Sequence, residues 1–355
     1  MSDFVNEMQR CYVRQAEAVG QALEAMPAAL ADFRAKFSGR RFDCVVLLGI
    51  GSSFHALRMA QSFAQQTLGV PVWTQTPEQL DWLTPAMAGR VLVIAASQSG
   101  TSTNVLARMR EIRAMGIDAA VITQGLDSPL AQETGCVLPL NIPEEKAGPK
   151  TMGVMGTAIT AAFAACALSG GNAREPLAAD VTAFRGQLAG NLPAVQDYVQ
   201  ARAEALAAHC AWLVVGEKRL HACAGESFLK LVETVRRPST CYELEEIVHG
   251  PCACFSEDTA LLCLSEERTR GERVQALCNL CEENGGTVYD VIAAAGPTRE
   301  EDGRLLLAAP DHPMLTALMM LLPAQAISAF IPPLMGIDLD ARSTSKWNAM
   351  LAGHL

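Results

Sequence analysis

The sequence has no cluster of lysine or arginine residues, few aromatic residues and little charge of either sign. The 355 residues include 28 Lys and Arg residues and 38 Asp and Glu residues, so the formal net charge is -10 at pH 7. Binding to nucleic acid or to an anionic membrane surface needs clustered basic side chains. We therefore expect no nucleic-acid partner and no membrane partner. The charged fraction of 19% and the hydrophobic fraction of 50% also exclude an intrinsically disordered chain.

The N-terminal stretch MSDFVNEMQR has no apolar core of the kind that secretory signal peptides carry. The 12 cysteines are scattered, so we expect reduced thiols and a cytoplasmic location. Two long uncharged stretches, 151–173 and 313–337, are either rich in small residues or interrupted by prolines. We interpret both as buried helices rather than as membrane spans.

Aromatic residues make up only 5% of the chain, which disfavours an all-β sandwich. Short apolar runs instead alternate with helical spacing, which is typical of parallel strands buried on both faces. The predicted strands are 42–49, 70–76, 90–97, 119–124 and 136–141, followed by 211–216, 259–265 and 287–293. The predicted fold is α/β with two tandem units, each a doubly wound, mainly parallel five-stranded sheet flanked by helices.

The break at Gly170, Gly171 and Asn172 separates the two units. The predicted organisation is an N-terminal helical segment, a first unit, a helical linker and a second unit with a C-terminal tail. Their respective ranges are 1–38, 39–171, 172–208 and 209–355.

Two predicted strands end in loops that are rich in glycine and hydroxyl side chains. The loops are Gly49-Ile-Gly-Ser-Ser-Phe54 and Ser97-Gln-Ser-Gly-Thr-Ser102. Phe54 replaces the third glycine of a dinucleotide fingerprint, so we exclude NAD. Hydroxyl groups and helix N-termini at the carboxyl ends of parallel strands favour phosphate. Each loop alone could be an ordinary capped turn, but the pair predicts a phosphate site.

This pair of loops resembles the sugar isomerase (SIS) family of phosphosugar-binding domains, and the resemblance extends over about residues 40–350 as two SIS domains. It implies that the first domain holds the sugar phosphate. The loop 144–153 is similar to the family's segment after the last strand of that domain, with Lys150 at a recurring lysine. The implied phosphate contacts are Ser52, Ser53, Ser97, Gln98, Ser99 and Ser102.

The second domain resembles the isomerase half of glucosamine-6-phosphate synthase and the fructosamine-6-phosphate deglycases. Those enzymes carry a glutamate that ends an E-x-x-x-K-x-x-E helix and a histidine before Gly-Pro sixteen residues later. The matching positions are Glu233 and His249. The resemblance implies that Glu233 is the base at C1 and C2 of the sugar. It implies that His249 assists ring opening or proton delivery, reaching the site of a partner subunit in a homodimer or higher homo-oligomer.

Both residue types suit proton transfer, since a carboxylate in a pocket can act as a base and histidine titrates near neutral pH. Glu246, in the same turn as His249, is expected to orient that loop. Lys346 lies in a tail that resembles the family's catalytic-lysine tail but departs from its L-A-K-S-V pattern.

We expect no cofactor and no metal. Cys252 and Cys254 precede Cys278 and Cys281 at a spacing that four thiolate ligands of zinc could use. Cys278 and Cys281, however, lie three residues apart within a predicted helix, so we interpret these cysteines as buried structural residues.

The sequence enters the first SIS unit directly, so we expect no glutaminase domain and no complete synthase. The context of His249 is most similar to deglycases of the fructoselysine- or glucoselysine-6-phosphate type, which release a hexose 6-phosphate and an amino acid. Two alternatives stay open. One is an aldose–ketose isomerase or amino-sugar-phosphate deaminase, and the other is a non-catalytic sugar-phosphate sensor.

Overall fold

The structure, a computed structural model, describes residues 6–170 and 173–341. These residues form two compact units, each built around one sheet. The first unit contains 17–145, 152–170 and 173–183, and the second contains 6–16, 146–151 and 184–340.

The sheet of the first unit is parallel throughout, with strand order β2-β1-β3-β4-β5. The five strands are β1 (Cys44–Leu48), β2 (Val72–Gln75), β3 (Val91–Ala96), β4 (Asp118–Thr123) and β5 (Val137–Pro139). Every residue of β1 and β3 is buried, because helices cover both faces of the sheet. The chain leaves β1 towards β2 on one side and continues with β3 on the other. The carboxyl ends of β1 and β3 therefore form the topological switch point, where open α/β sheets bind ligands.

Most helices of the first unit connect its strands. They are α2 (Gln15–Ala29), α3 (Ala31–Phe37), α4 (Ser52–Leu68), α5 (Thr103–Ala114), α6 (Pro129–Thr134) and α7 (Met152–Leu168), with α1 (Glu7–Val13) belonging to the second unit. α5 packs on one face of the sheet over a core that includes Val46, Val93 and Val121. α4 and α7 pack against each other, and every residue of α7 is buried.

The second sheet has strand order β10-β11-β9-β8-β6-β7 and is parallel except at β10. Its strands are β6 (Ala211–Gly216), β7 (Ser239–Glu243), β8 (Thr259–Glu266), β9 (Thr287–Ala294), β10 (Arg299–Glu301) and β11 (Arg304–Ala308). The helices after residue 170 are α8 (Arg174–Gln200), α9 (Ala203–Ala208), α10 (His221–Thr234), α11 (Leu244–Ile247), α12 (Glu272–Glu283), α13 (Pro313–Met319) and α14 (Leu322–Phe330). α8 crosses the boundary between the two units.

The predicted α/β class with two mainly parallel sheets is confirmed, and each of the eight predicted strands overlaps an observed one. The second sheet differs from the expected five strands, because it has a sixth and its edge strand β10 is antiparallel. The sequence did not predict β7, β10 or β11. The residues of β7 are polar and only partly buried, so they lack the apolar run that marks the central strands.

One helical stretch among the described residues, Pro313–Met335, is long and apolar enough to cross a membrane. Its most apolar window is 94% buried inside the fold, as expected for a core helix. The other stretch that the sequence singled out corresponds to the buried helix α7.

Candidate functional site

The two hydroxyl-rich loops follow neighbouring strands of the first sheet. β1 and β3 pair in parallel register, with Leu48 opposite Ala95, so both loops leave the same edge of the sheet side by side. Each loop leads directly into the N-terminus of a helix, α4 in one case and α5 in the other. The two predicted segments are therefore brought together at the switch point of the sheet.

The loop after β1 turns sharply into α4. A Cβ on Gly49 would lie 2.8 Å from the backbone nitrogen of Phe54, so only glycine allows this close approach. Ser52 and Ser53 are the first two residues of α4, and the residue before them, Gly51, has a φ of 56°. Because a glycine N-cap has no side chain, the first N–H groups of this 17-residue helix remain available to a ligand.

The loop after β3 contains both buried and exposed hydroxyl groups. The Oγ atom of Ser97 lies 3.1 Å from that of Ser102 and accepts a hydrogen bond from the Gly100 nitrogen at 3.2 Å. Ser97 and Ser102 are 4% and 7% exposed, so these bonds fix the shape of the loop from inside. Ser99 is exposed, and its Oγ atom lies 2.8 Å from that of Thr101. Of these hydroxyls, Ser99 is the most accessible to a ligand.

The Gln98 side chain is held by an acidic residue that the sequence did not single out. Its Nε2 atom donates a hydrogen bond to Oε2 of Glu145 at 3.1 Å. Glu145 is 6% exposed and also accepts from the backbone nitrogens of Met152 and Gly153, at 3.0 and 2.9 Å. The sequence singled out the loop 144–153, which contains Glu145, but only for Lys150. Glu145 therefore went unnoticed as a candidate.

Lys150 lies in the segment 146–151, which belongs to the second unit. Its Nζ atom donates a hydrogen bond to the carbonyl oxygen of Ala147 at 2.7 Å. The side chain is half-buried. Its expected role in a substrate-binding loop stays a prediction.

Glu233 lies in the last turn of α10 and forms an ion pair with Lys230. Lys230 is completely buried, and its Nζ atom also lies 3.6 Å from Oε1 of Glu226, which is completely buried too. The Glu233 side chain is 39% exposed. The helix thus places one carboxylate inside, one at the surface and the lysine between them, because residues three and four apart share a face. A buried lysine between two carboxylates fixes the position of the outer one.

His249 is exposed and follows α11 in the turn that leads to Gly250 and Pro251. Its backbone nitrogen donates to the carbonyl oxygen of Glu246 at 3.2 Å, and Gly250 adopts a φ of 141° that favours glycine. Within this chain no hydrogen bond or ion pair joins the side chains of Glu233 and His249, both of which the structure describes. Lys346 lies outside the described residues.

The corresponding edge of the second sheet is occupied by ion pairs rather than hydroxyl groups. Arg219, which follows β6, donates to both carboxylate oxygens of Glu266, the last residue of β8. Arg268 donates to the same carboxylate at 3.3 Å, and Glu266 is only 5% exposed. Two guanidinium groups therefore share one carboxylate at this edge, whereas the loops of the first sheet present hydroxyl groups.

The cysteines form a different group from the one that the sequence suggested. Cys254 is exposed on a short 3-10 turn, while the side chains of Cys278, Cys263 and Asp290 have ligand atoms within 4.8 Å of one another. A hydrogen bond with Cys263 lowers the pKa of Cys278, and the same bond raises the pKa of Cys263. Both oxygens of Asp290 accept from Arg270, at 2.9 and 2.6 Å. A metal ion would have to displace this guanidinium group, so the cluster is a poor cation site.

Comparison with known proteins relates the chain to one family. Residues 43–165 match the SIS domain family. Over 314 residues the chain is 25% identical to glutamine–fructose-6-phosphate aminotransferase (isomerizing) of Caulobacter vibrioides, covering 84% of this chain and 50% of that protein. The chain therefore spans about half the length of such relatives.

Solved structures share the fold over most of the chain. The C-terminal domain of glucosamine-fructose-6-phosphate aminotransferase from Francisella tularensis superimposes with a TM-score of 0.80 at 18% identity, covering 95% of this chain and 98% of that one. Tagatose-6-phosphate ketose/aldose isomerase from Escherichia coli gives a TM-score of 0.76 at 18% identity, covering 95% of each chain. The segment that matches the SIS domain family, residues 43–165, contains β1 to β5 and both hydroxyl-rich loops.

Proposed function

We propose that this protein is a phosphosugar enzyme that splits a sugar–amine 6-phosphate into a hexose 6-phosphate and a free amino acid. The observation that carries the proposal is the ion pair between buried Lys230 and partly exposed Glu233. It holds a carboxylate in a fixed position at the end of α10, sixteen residues before His249, as the resemblance to deglycases requires. The similar proteins, which include an isomerizing aminotransferase and a ketose/aldose isomerase, support a sugar-phosphate substrate.

The phosphate role is assigned to the loops after β1 and β3. Ser52 and Ser53 open an uncapped helix N-terminus, and Ser99 presents an exposed hydroxyl in the loop that follows the neighbouring strand. Helix N-termini and hydroxyl donors stabilise a phosphate dianion without a positively charged side chain. The second sheet lacks this arrangement, because Arg219 and Glu266 occupy the equivalent edge.

The reaction is assigned to Glu233 as the base. Glu233 removes a proton from the carbon that bears the amine in the open-chain sugar, and the electron pair forms a carbon–carbon double bond between C1 and C2. At the same time the π bond of the neighbouring carbonyl group breaks, and its oxygen takes a proton and becomes a hydroxyl group. Return of the proton to the neighbouring carbon gives an imine. One water then adds to the imine, the carbon–nitrogen bond breaks, and hexose 6-phosphate and amine are released. His249 supplies a proton for ring opening or for the departing amine.

Two other functions use the same residues. An aldose–ketose isomerase or an amino-sugar-phosphate deaminase needs the same base, whereas a sugar-phosphate sensor needs only the loops. The deglycase is preferred because the segment Cys241–Pro251 resembles that group of enzymes most.

The test is a mass-spectrometric screen of the purified protein against phosphorylated fructosamines, glucosamine 6-phosphate and hexose 6-phosphates. We expect a fructosamine 6-phosphate to yield hexose 6-phosphate and free amino acid in equal amounts. Release of ammonia from glucosamine 6-phosphate alone, or interconversion of hexose 6-phosphates alone, would replace the deglycase with the first alternative. If the protein binds these compounds but converts none of them, the non-catalytic sugar-phosphate sensor is the remaining function.

A further inference from the structure

The carboxylate of Glu145 joins the phosphate loop to the N-terminus of α7. Oε2 accepts from the Gln98 side chain and from the Gly153 nitrogen, while Oε1 accepts from the Met152 nitrogen. All three distances lie between 2.9 and 3.1 Å, and Glu145 is 6% exposed. The carboxylate therefore meets the free N–H groups of the helix and the side chain of the loop at the same time.

A carboxylate at this position determines which way the Gln98 amide faces. Glutamine has a donor nitrogen and an acceptor oxygen, whereas an ionised carboxylate only accepts. Gln98 must therefore turn Nε2 towards Glu145. One N–H group of Nε2 is used in that bond, and the amide has a second N–H group for another acceptor.

The oxygen atom of the Gln98 amide packs against Gly153, the second residue of α7. A Cβ on Gly153 would lie 2.1 Å from Oε1 of Gln98 and 3.0 Å from Oε2 of Glu145. The residue is glycine because the amide lies directly against the helix. The hydrogen bond to Glu145 and the close contact with Gly153 together restrict the orientation of the Gln98 side chain.

We infer that Glu145 is a positioning residue for phosphosugar binding, which holds Gln98 so that its second Nε2 N–H group donates to the substrate phosphate. The inference rests on the proposed function of the loops. It also assigns different tasks to the helices around the loops. The N-terminus of α7 is neutralised by Glu145, so the phosphate is left to the N-termini of α4 and α5.

A purely structural role makes a different prediction. If Glu145 only caps α7, its loss lowers stability and leaves the affinity for ligand unchanged. If it acts through Gln98, changes at the two positions remove the same interaction from the ligand, and their effects on affinity do not add.

The experiment is a double-mutant cycle with Glu145→Gln and Gln98→Ala. Calorimetry gives the dissociation constant for fructose 6-phosphate, and thermal unfolding gives Tm. In Glu145→Gln the new amide can donate to Oε1 of Gln98, so the Gln98 amide loses its fixed direction. We expect each single variant to weaken binding about tenfold and the double variant to weaken it no further. The matched control is Glu111→Gln, which removes one acid on the exposed face of α5 and leaves affinity unchanged.

Two results would overturn the role of Glu145. One is wild-type affinity in Glu145→Gln with a lowered Tm, and the other is a double variant about a hundredfold weaker, the product of the single effects. If Glu145→Gln does not fold, Gly153→Ala is used instead. Its Cβ would displace the Gln98 amide, so this variant must weaken binding of fructose 6-phosphate. Wild-type protein that binds neither fructose 6-phosphate nor glucose 6-phosphate overturns the proposed function instead, and removes the basis for the role of Glu145.

Discussion

Hydroxyl groups, not lysine or arginine side chains, line the loops after β1 and β3, and they divide into two kinds. Ser97 and Ser102 are buried and bonded to each other, whereas Ser99 is exposed. Sequence reasoning treated them as equivalent phosphate contacts, because a motif does not report burial. The structure gives the buried pair a second task, which is to hold the loop in shape.

Replacement of the two serines is therefore expected to have different consequences. Ser99→Ala and Ser97→Ala each weaken binding of a hexose 6-phosphate by about 1–3 kcal/mol, because a charged acceptor loses a donor. Only Ser97→Ala also lowers Tm, since it removes the buried Oγ atom that bonds to Ser102 and is one of two acceptors of the Gly100 N–H group. Calorimetry and thermal unfolding of both variants check this. Unchanged affinity in both would contradict the phosphate loop.

The pairing of Lys230 with Glu233 was not visible as such in the sequence. The E-x-x-x-K-x-x-E spacing places the three side chains on one face of a helix, but it does not say which of them is buried. The structure buries Glu226 and Lys230 completely and leaves Glu233 at the surface. This arrangement suits the proposed base, because buried Lys230 holds the Glu233 carboxylate while that carboxylate stays accessible to a substrate.

The turn at Gly100 combines a positive φ with close packing against a neighbouring helix. Its φ is 72°, and a Cβ there would lie 2.0 Å from Oγ of Ser128, the residue that caps α6. The loop after β3 and the N-terminus of α6 thus pack against each other without space for a side chain.

Gly100→Ala should combine a strained backbone with a steric clash. We expect it to lower the free energy of unfolding by about 1–3 kcal/mol and to weaken phosphosugar binding. Gly116→Ala is the matched control, because its φ of 74° is almost the same and its Cβ would meet only Ala88, at 3.6 Å. Urea unfolding of both variants measures the difference. If both variants lose the same free energy of unfolding, the clash with Ser128 does not contribute to the effect of Gly100→Ala.

The sequence was most informative where burial is complete. Strands such as β1 and β3 are apolar on both faces, so their runs stand out, and the loops that follow them could be located within a few residues. Edge strands were harder, since β7 and β10 are polar and partly or wholly exposed. Glu145 was missed for a related reason, because its partners lie 47, 7 and 8 residues away and become neighbours only in the fold.

The two sheets differ at the carboxyl ends of their parallel strands. One presents hydroxyl groups and helix N-termini, and the other presents the ion pairs of Arg219 and Arg268 with Glu266. With a net charge of -10, the protein does not attract a phosphate dianion from a distance. The proposed binding would therefore depend on local donors, such as the hydroxyl groups and helix N-termini that follow β1 and β3.

The homodimer that the family resemblance implies leads to a prediction for mixed subunits. Glu233→Gln and His249→Ala should each inactivate the homodimer. If His249 acts in the partner's site, a hybrid dimer has one intact site, so an equilibrated equimolar mixture should recover about a quarter of wild-type activity. Mixing followed by an activity assay and native mass spectrometry checks this. Hybrids that form but stay inactive would place both residues in the same subunit's site.

The central claim, that Glu233 is the base of a phosphosugar enzyme, is tested most directly by Glu233→Gln. The variant keeps the size of the side chain and removes the proton acceptor. We predict a loss of turnover of at least about a hundredfold with unchanged binding of hexose 6-phosphate, because the carboxylate acts in the transition state. Glu283→Gln, on the exposed end of α12, is the control and should keep full turnover. Near wild-type turnover by Glu233→Gln would contradict the account.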